Sequence, residues 1–121
     1  MKTQIVVIHG GTAFESYDDF LNNLKNSTPK LERLKTKKTW KEKLQDNLEE
    51  FYDVYNPRMP QKDNAHYNEW KIYFEKILNK LEDEIILIGH SLGSIFLAKY
   101  LSENRINKNM KGLFLVTSII P

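Results

Sequence analysis

Short runs of apolar, largely β-branched residues alternate along the chain with longer segments whose apolar residues recur every three to four positions. The short runs predict four strands, of which Gln4–Ile8 and Ile85–Ile88 are expected to be buried. The other two are a shorter strand at Tyr52–Tyr55 and a last strand at Leu113–Val116. Strands that alternate with helices are typical of a parallel sheet covered by helices on both faces. We therefore expect an α/β three-layer sandwich whose four-stranded parallel sheet has the order second, first, third, fourth.

The first two predicted helices carry sequence signals for their starts. Ser16 can cap the first helix, with Asp19 completing a capping box, and Pro29 marks its end. Thr39 and Glu42 make a second capping box, which predicts a helix over Thr39–Glu50. The apolar stripes expected to face the core are Tyr17, Phe20, Leu21 and Leu24 in the first helix and Trp40, Leu44, Leu48 and Phe51 in the second.

Two further helices flank the third strand. Asn64 can cap the helix before it, and the segment Leu92–Leu101 predicts the helix after it. The inner face of the earlier helix is expected to consist of Tyr67, Trp70, Phe74, Ile77 and Leu81.

The turn between the third strand and the following helix has the pattern Gly89-x-Ser91-x-Gly93, with His90 and Leu92 at the variable positions. In this strand-to-helix context the pattern indicates a nucleophile elbow. Such a sharp turn holds its apex residue in a strained conformation, which glycines on both sides make possible. The hydroxyl of Ser91 is then presented at the carboxyl end of the sheet, where the first N–H groups of the helix can stabilise an oxyanion. The alternative is an ordinary glycine-rich turn.

A second loop is expected beside this turn. The first strand runs into His9-Gly10-Gly11-Thr12, and the predicted strand order makes the first and third strands neighbours. In open parallel sheets, ligands bind at the carboxyl ends of the strands, between the two neighbouring strands at which the strand order reverses. A loop of this kind beside an elbow commonly supplies a second oxyanion N–H group, here that of Gly11 or Thr12.

Length and composition narrow the class of protein. The 121 residues leave room for one domain over 1–121, and 40% hydrophobic with 28% charged residues describe a globular chain. The absence of cysteine excludes disulfides, a thiolate nucleophile and thiolate-bound metals. No run approaches the about 20 apolar residues of a membrane span, and a net charge of +2 does not point to nucleic acid. Because the start of the chain does not resemble a signal peptide, we expect a cytoplasmic protein. We also expect no metal and no cofactor.

The segment from Lys30 to Lys43 is strongly basic. It contains seven basic residues against Glu32 and Glu42, namely Lys30, Arg33, Lys35, Lys37, Lys38, Lys41 and Lys43. It could bind phosphate or an anionic partner, but without interleaved aromatic residues a solvated loop and helix face is favoured.

Several of these motifs together resemble the α/β-hydrolases. They are His9-Gly10-Gly11 after the first strand, Asn56-Pro57-Arg58-Met59-Pro60, Trp70, and Leu87-Ile88-Gly89-His90-Ser91-Leu92-Gly93. The chain is most similar to the small serine hydrolases of the retinoblastoma-binding protein 9 family, and the resemblance covers nearly its whole length. It implies that the four strands correspond to the family's third to sixth.

The resemblance also implies roles for individual residues. Ser91 would be the nucleophile, and the N–H groups of Leu92 and of Gly11 or Thr12 would form the oxyanion hole for ester hydrolysis through an acyl-serine. The family places its catalytic acid and histidine after the sixth strand, and no residue of this chain matches them. Activity is therefore expected to be weak.

An internal histidine could replace the missing base. His66 follows a loop that leaves the carboxyl end of a strand, and Asp63 is close enough in sequence to orient it. A Ser91–His66–Asp63 triad is one hypothesis, and a surface histidine near a helix cap is the commoner alternative. His9 suits a structural role in its loop, and His90 should point away from the serine.

The sequence thus predicts a carboxylesterase acting on small acyl esters. The alternative is a catalytically inactive hydrolase fold that serves as a binding or self-assembly module. A flavodoxin-like phosphate-binding domain is disfavoured because the loop His9–Thr12 supplies few phosphate contacts. The last strand, Leu113–Val116, followed by Ile119 and Ile120, is apolar on both faces and should have an open edge, so we expect it to join two copies of the chain.

Overall fold

The computed structural model describes residues 2–34 and 40–117. Along the chain they form β1 (Thr3–Ile8), α1 (Tyr17–Asn26), α2 (Leu31–Leu34), α3 (Trp40–Leu48), β2 (Tyr52–Tyr55), α4 (Tyr67–Leu78), β3 (Glu84–His90), α5 (Leu92–Glu103) and β4 (Asn109–Val116), with a short 3-10 helix at Lys62–Asn64 before α4. The predicted alternation of strands and helices is confirmed.

All four strands are parallel and lie in the order β2-β1-β3-β4, as predicted. The chain leaves β1 toward β2 at one edge and then returns to β3 on the other side of β1. Val6 is paired with Leu87, and Ile8 with Gly89. The loops that follow β1 and β3 therefore begin side by side at the carboxyl end of the sheet.

The two faces of the sheet carry separate apolar clusters. Val6, Ile8 and Leu87 on one face pack against side chains of α4 and α5, which include the fully buried Trp70, Phe74 and Leu97. On the other face Ile5, Val7 and Val54 are covered in part by Leu44 and Leu48 of α3. Alternate residues of one strand thus face opposite helix layers, as the period of a strand requires.

The apolar stripe predicted for α4 is confirmed, but its predicted cap is wrong. Trp70 and Phe74 are buried, and Tyr67, Ile77 and Leu81 pack against the same cluster. The residue at the N-cap position is His66, because Asn64 belongs to the preceding 3-10 helix.

The first helix lies further from the core than its pattern predicts. Ser16 caps α1 by accepting a hydrogen bond from the Asp19 N–H at 3.1 Å, as predicted. No residue of α1 is buried, however, and Tyr17 and Leu24 are 66% and 58% exposed. Phe20 instead contacts the rings of Phe14 and Tyr17, so that the apolar face of α1 is largely a local cluster.

In α3 only part of the predicted stripe reaches the core. Leu44 and Leu48 pack against the sheet, whereas Trp40 and Phe51 are exposed. The proposed cap Thr39 lies outside the described residues, as do Lys35, Lys37 and Lys38 of the basic segment.

The last strand is longer than predicted, since it begins at Asn109 rather than Leu113. Asn109, Lys111 and Gly112 are polar or small and isolate Met110 from the apolar run that begins at Leu113, which is why the pattern of apolar residues missed them. Ile119 and Ile120 lie outside the described residues. Among the described residues no helix is long and apolar enough to span a bilayer.

Candidate active site

Ser91 has the backbone conformation expected at the apex of a sharp strand-to-helix turn. Its φ of 55° and ψ of −117° lie in a region that residues with a side chain rarely occupy. Hydrogen bonds on both sides hold this conformation: the Ser91 N–H donates to Val116 O at 2.8 Å, and the Ser94 hydroxyl donates to Ser91 O at 2.6 Å. The turn therefore joins β3, β4 and α5 at one residue.

The two glycines of the turn are required by the close approach of neighbouring backbone. A Cβ on residue 89 would lie 2.7 Å from Ser94 Cα, and one on residue 93 would overlap the carbonyl oxygen of Ile8. The absence of both side chains lets α5 start directly against the ends of β1 and β3.

The loop after β1 lies beside Ser91. The position of a Cβ on Gly10 would be 3.2 Å from Ser91 Cβ. His9 anchors this loop, because its Nε2 accepts a hydrogen bond from the Met59 N–H at 2.9 Å. Nδ1 therefore carries the proton and donates to Gly10 O at 2.5 Å. With both ring nitrogens bonded to backbone, His9 positions the loop.

The candidate oxyanion donors differ in what they already bind. The Thr12 N–H donates to Lys62 O at 2.8 Å, which occupies it in this structure. Leu92 is the first residue of α5, so its N–H has no acceptor within the helix. No described residue accepts a hydrogen bond from the Gly11 N–H. Leu92 and Gly11 are thus the candidates whose N–H groups are not engaged by a described residue, and their role as an oxyanion hole stays a prediction.

His66 and Asp63 both precede the first turn of α4, and His66 lines a pocket that also includes Leu92. His66 is exposed at the start of α4, and Asp63 is in the 3-10 helix. In the part of the chain that the structure describes, no hydrogen bond or ion pair joins either residue to Ser91 or to the other. The triad stays a prediction.

A small apolar pocket of about 130 Å³ separates His66 from the start of α5. Its walls are formed by Ala13, Ala65, His66, Tyr67, Trp70, Leu92, Ile95, Phe96 and Lys99. Burial and the neighbouring carboxylate of Glu103 raise the pKa of the Tyr67 hydroxyl above its ordinary value. The pocket can accommodate a short apolar group next to Leu92.

A larger cleft of about 730 Å³ opens on the α3 side of the sheet edge. We call it the basic cleft; it is lined by Val7, His9, Gly10, Asn56, Pro57, Arg58, Met59, Gln61, Lys62 and His90. The ring of His90 lies beside Gly10 and packs edge-on against Trp40.

Residues 56–60 entered the sequence analysis as one motif of the family resemblance, without a role in a site, and Lys62 was not singled out. The lining residues Asn56, Arg58 and Lys62 were therefore missed. The rigid prolines at 57 and 60 were the available signal that this loop has a fixed shape. Among the described residues no group of three or more His, Asp and Glu side chains could hold a metal ion.

Comparison with known proteins gives one family. A family model described as serine hydrolase matches residues 33–120, a range that contains β2, β3, β4 and the turn at Ser91. No curated protein and no solved structure matches the chain. Since the family model covers more than half of the sequence, the chain belongs to the serine hydrolase family.

Proposed function

We propose that this serine hydrolase is a carboxylesterase that cleaves small acyl esters through an acyl-Ser91 intermediate. The observation that carries the proposal is the backbone of Ser91, whose positive φ is held by hydrogen bonds at the start of α5. A strained serine at the carboxyl end of a parallel sheet, with a glycine loop beside it, suits nucleophilic attack on a carbonyl.

In the proposed reaction the Ser91 oxygen attacks the ester carbonyl carbon while its proton passes to a base. The negative charge that develops on the carbonyl oxygen is stabilised by the N–H groups of Leu92 and Gly11. Collapse of the tetrahedral intermediate breaks the bond to the alcohol oxygen, which leaves with the proton. Water then attacks the acyl-serine by the same route, releasing the carboxylic acid and restoring Ser91. His66, oriented by Asp63, is the proposed base.

The apolar pocket beside Leu92 supports a preference for short acyl chains. Its volume is about 130 Å³, against about 730 Å³ for the basic cleft. The walls formed by Trp70 and Phe96 are buried and closely packed against Phe74, so they leave little room for a longer chain.

The proposal is tested by hydrolysis of p-nitrophenyl acetate with the wild-type protein and Ser91→Ala. We expect the wild type to turn over the ester and to react with a fluorophosphonate, and the variant to do neither. Ser102→Ala is the matched control, because Ser102 is an exposed α5 serine that hydrogen-bonds only within its own helix. Equal rates in wild type and Ser91→Ala would contradict the proposal.

A second candidate function is a binding or self-assembly module without catalysis. It is favoured by two observations: no described side chain accepts a hydrogen bond from the Ser91 hydroxyl, and β4 exposes apolar side chains at the sheet edge. A serine without a base is a poor nucleophile. Failure of the wild type to react with the fluorophosphonate would favour this alternative.

A further inference from the structure

The basic cleft has two cationic side chains on its wall and no described carboxylate that balances them. Arg58 and Lys62 lie on its wall, and no Asp or Glu is among the described residues that line it. Neither cation forms an ion pair with a described carboxylate. A concave surface with charge of one sign concentrates field lines and attracts a ligand of the opposite sign.

The loop that presents these cations is held at several points. Trp70 Nε1 donates to Pro60 O at 2.7 Å, the Met59 N–H donates to His9, and Lys62 O accepts from the Thr12 N–H. These contacts tie the backbone of residues 59–62 to α4 and to the loop that lies beside Ser91. A backbone fixed in this way lowers the entropy cost of placing Arg58 and Lys62 around a ligand.

Asn56 adds a neutral polar group to the same wall. Both polar atoms of its side-chain amide are shielded from solvent and make no hydrogen bond with the described residues. A buried amide without a hydrogen-bond partner destabilises the folded state, because both of its polar atoms have lost their bonds to water. A polar ligand in the cleft is a candidate partner for this amide.

We propose that the basic cleft binds an oxyanion, a carboxylate or a phosphate, carried by the alcohol half of the ester. This assignment of the two halves rests on the proposed function, which places the acyl group in the apolar pocket beside Leu92. Gly10, which lines the cleft, lies beside Ser91, and the proposed ester would extend from there toward the apolar pocket at Leu92.

Binding is tested first, and without catalysis, on the Ser91→Ala protein. Benzoate, phenyl phosphate and the neutral benzamide are titrated by calorimetry into this protein and into its combinations with Arg58→Gln and Lys62→Gln. We expect an anion to bind more tightly than benzamide and each substitution to weaken it about tenfold at low salt, because a charged hydrogen bond is lost. The tighter of the two anions identifies the preferred oxyanion.

Arg105→Gln is the matched control, since it removes the same charge from an exposed position in a different pocket. Anions that bind no better than benzamide, or an equal loss from Arg105→Gln and Arg58→Gln, would overturn the proposal.

Kinetics then locate the anion on the ester. The ratio of kcat/KM for 4-acetoxybenzoate over its neutral methyl ester should fall about tenfold in Arg58→Gln and stay constant in Arg105→Gln. If this kcat/KM ratio stayed constant in both variants, the oxyanion bound in the cleft would not belong to the alcohol half of the ester. Anion binding in a protein that hydrolyses neither ester would instead contradict the esterase and leave the oxyanion site standing.

Discussion

Gly93 lies so close to Ile8 that a side chain at position 93 would overlap the Ile8 carbonyl oxygen. The same Cβ would lie 2.7 Å from His9 O, so the first turn of α5 rests on the end of β1. This contact fixes the distance between the two loops that carry the candidate site, because Ser91 precedes Gly93 and the loop His9–Thr12 continues from Ile8.

Gly93→Ala should therefore disrupt both the fold and the candidate site. The obstacle is backbone on two residues, which cannot move aside as a side chain can, so we expect a loss of about 3 kcal/mol in the free energy of unfolding. Gly112→Ala is the control and should cost less than about 1 kcal/mol. Its Cβ would lie 3.1 Å from the exposed ring of Phe114, which can move, and at an ordinary contact distance of 3.7 Å from Ile86 Cγ2. Urea denaturation measures both, and equal losses would contradict the argument.

His66→Ala tests the proposed base. If His66 accepts the Ser91 proton, its removal should lower kcat for p-nitrophenyl acetate by about 10²-fold or more, as expected for loss of a general base. Asp63→Asn should give a smaller loss, since that residue would only orient the ring. Unchanged turnover in His66→Ala would eliminate the triad and require another group to accept the proton.

The hydroxyl of Tyr100 donates a hydrogen bond to Glu75 Oε2 at 2.9 Å. We expect this bond to make the free energy of unfolding depend on pH in the alkaline range. Burial, together with the Glu75 carboxylate, raises the pKa of Tyr100 from 10.0 to about 12. Because the folded state keeps this proton at a pH where the unfolded chain has lost it, the stabilisation is complete below pH 10 and is lost as the pH rises toward 12.

Tyr100→Phe should thus lower the free energy of unfolding by about 1 kcal/mol at pH 7. Between pH 10 and 12 the wild type should lose stability more steeply than the variant. The exposed Tyr73, changed to Phe, is the control and should match the wild type at every pH. Urea denaturation across this pH range measures the free energy of unfolding of each protein. If this free energy fell with pH in parallel for the wild type and Tyr100→Phe, the proposed role of Tyr100 would be contradicted.

The sheet could be predicted from sequence because its strands are short apolar runs with clear turns between them. Ile5 to Ile8 and Ile85 to Ile88 have no competing helical period, and the glycines around Ser91 mark the turn after β3. The start of β4 was missed because an edge strand with exposed faces has no need of apolar residues at Asn109 or Lys111.

The helix packing and the cleft were harder to predict. An amphipathic stripe shows which face of α1 is apolar but not what it meets, and in the structure Phe20 meets Phe14 rather than the sheet. The basic cleft is formed by a loop whose path depends on long-range hydrogen bonds, such as Met59 to His9 and Thr12 to Lys62. Contacts between residues some 50 positions apart leave no periodic signal in a sequence.

β4 supports the final prediction, that two copies of the chain associate through this strand. Its outer edge is unpaired among the described residues, and Phe114 is 56% exposed, with Leu113, Leu115 and Val116 also exposed. Unpaired strand edges bind a second strand through their free N–H and C=O groups, and apolar side chains on both faces add buried area. A two-fold axis beside β4 would let two identical edges pair and continue the sheet.

Light scattering at tens of micromolar protein should therefore give the mass of a dimer. Phe114→Lys with Leu115→Lys should shift the protein to the monomer, because paired edges would bring these charges together and bury them. Ile72→Lys is the control, since Ile72 is an equally exposed apolar residue on α4, away from the edge. A wild-type mass of one chain, or a dimer that persists in the double variant, would show that β4 does not join the copies.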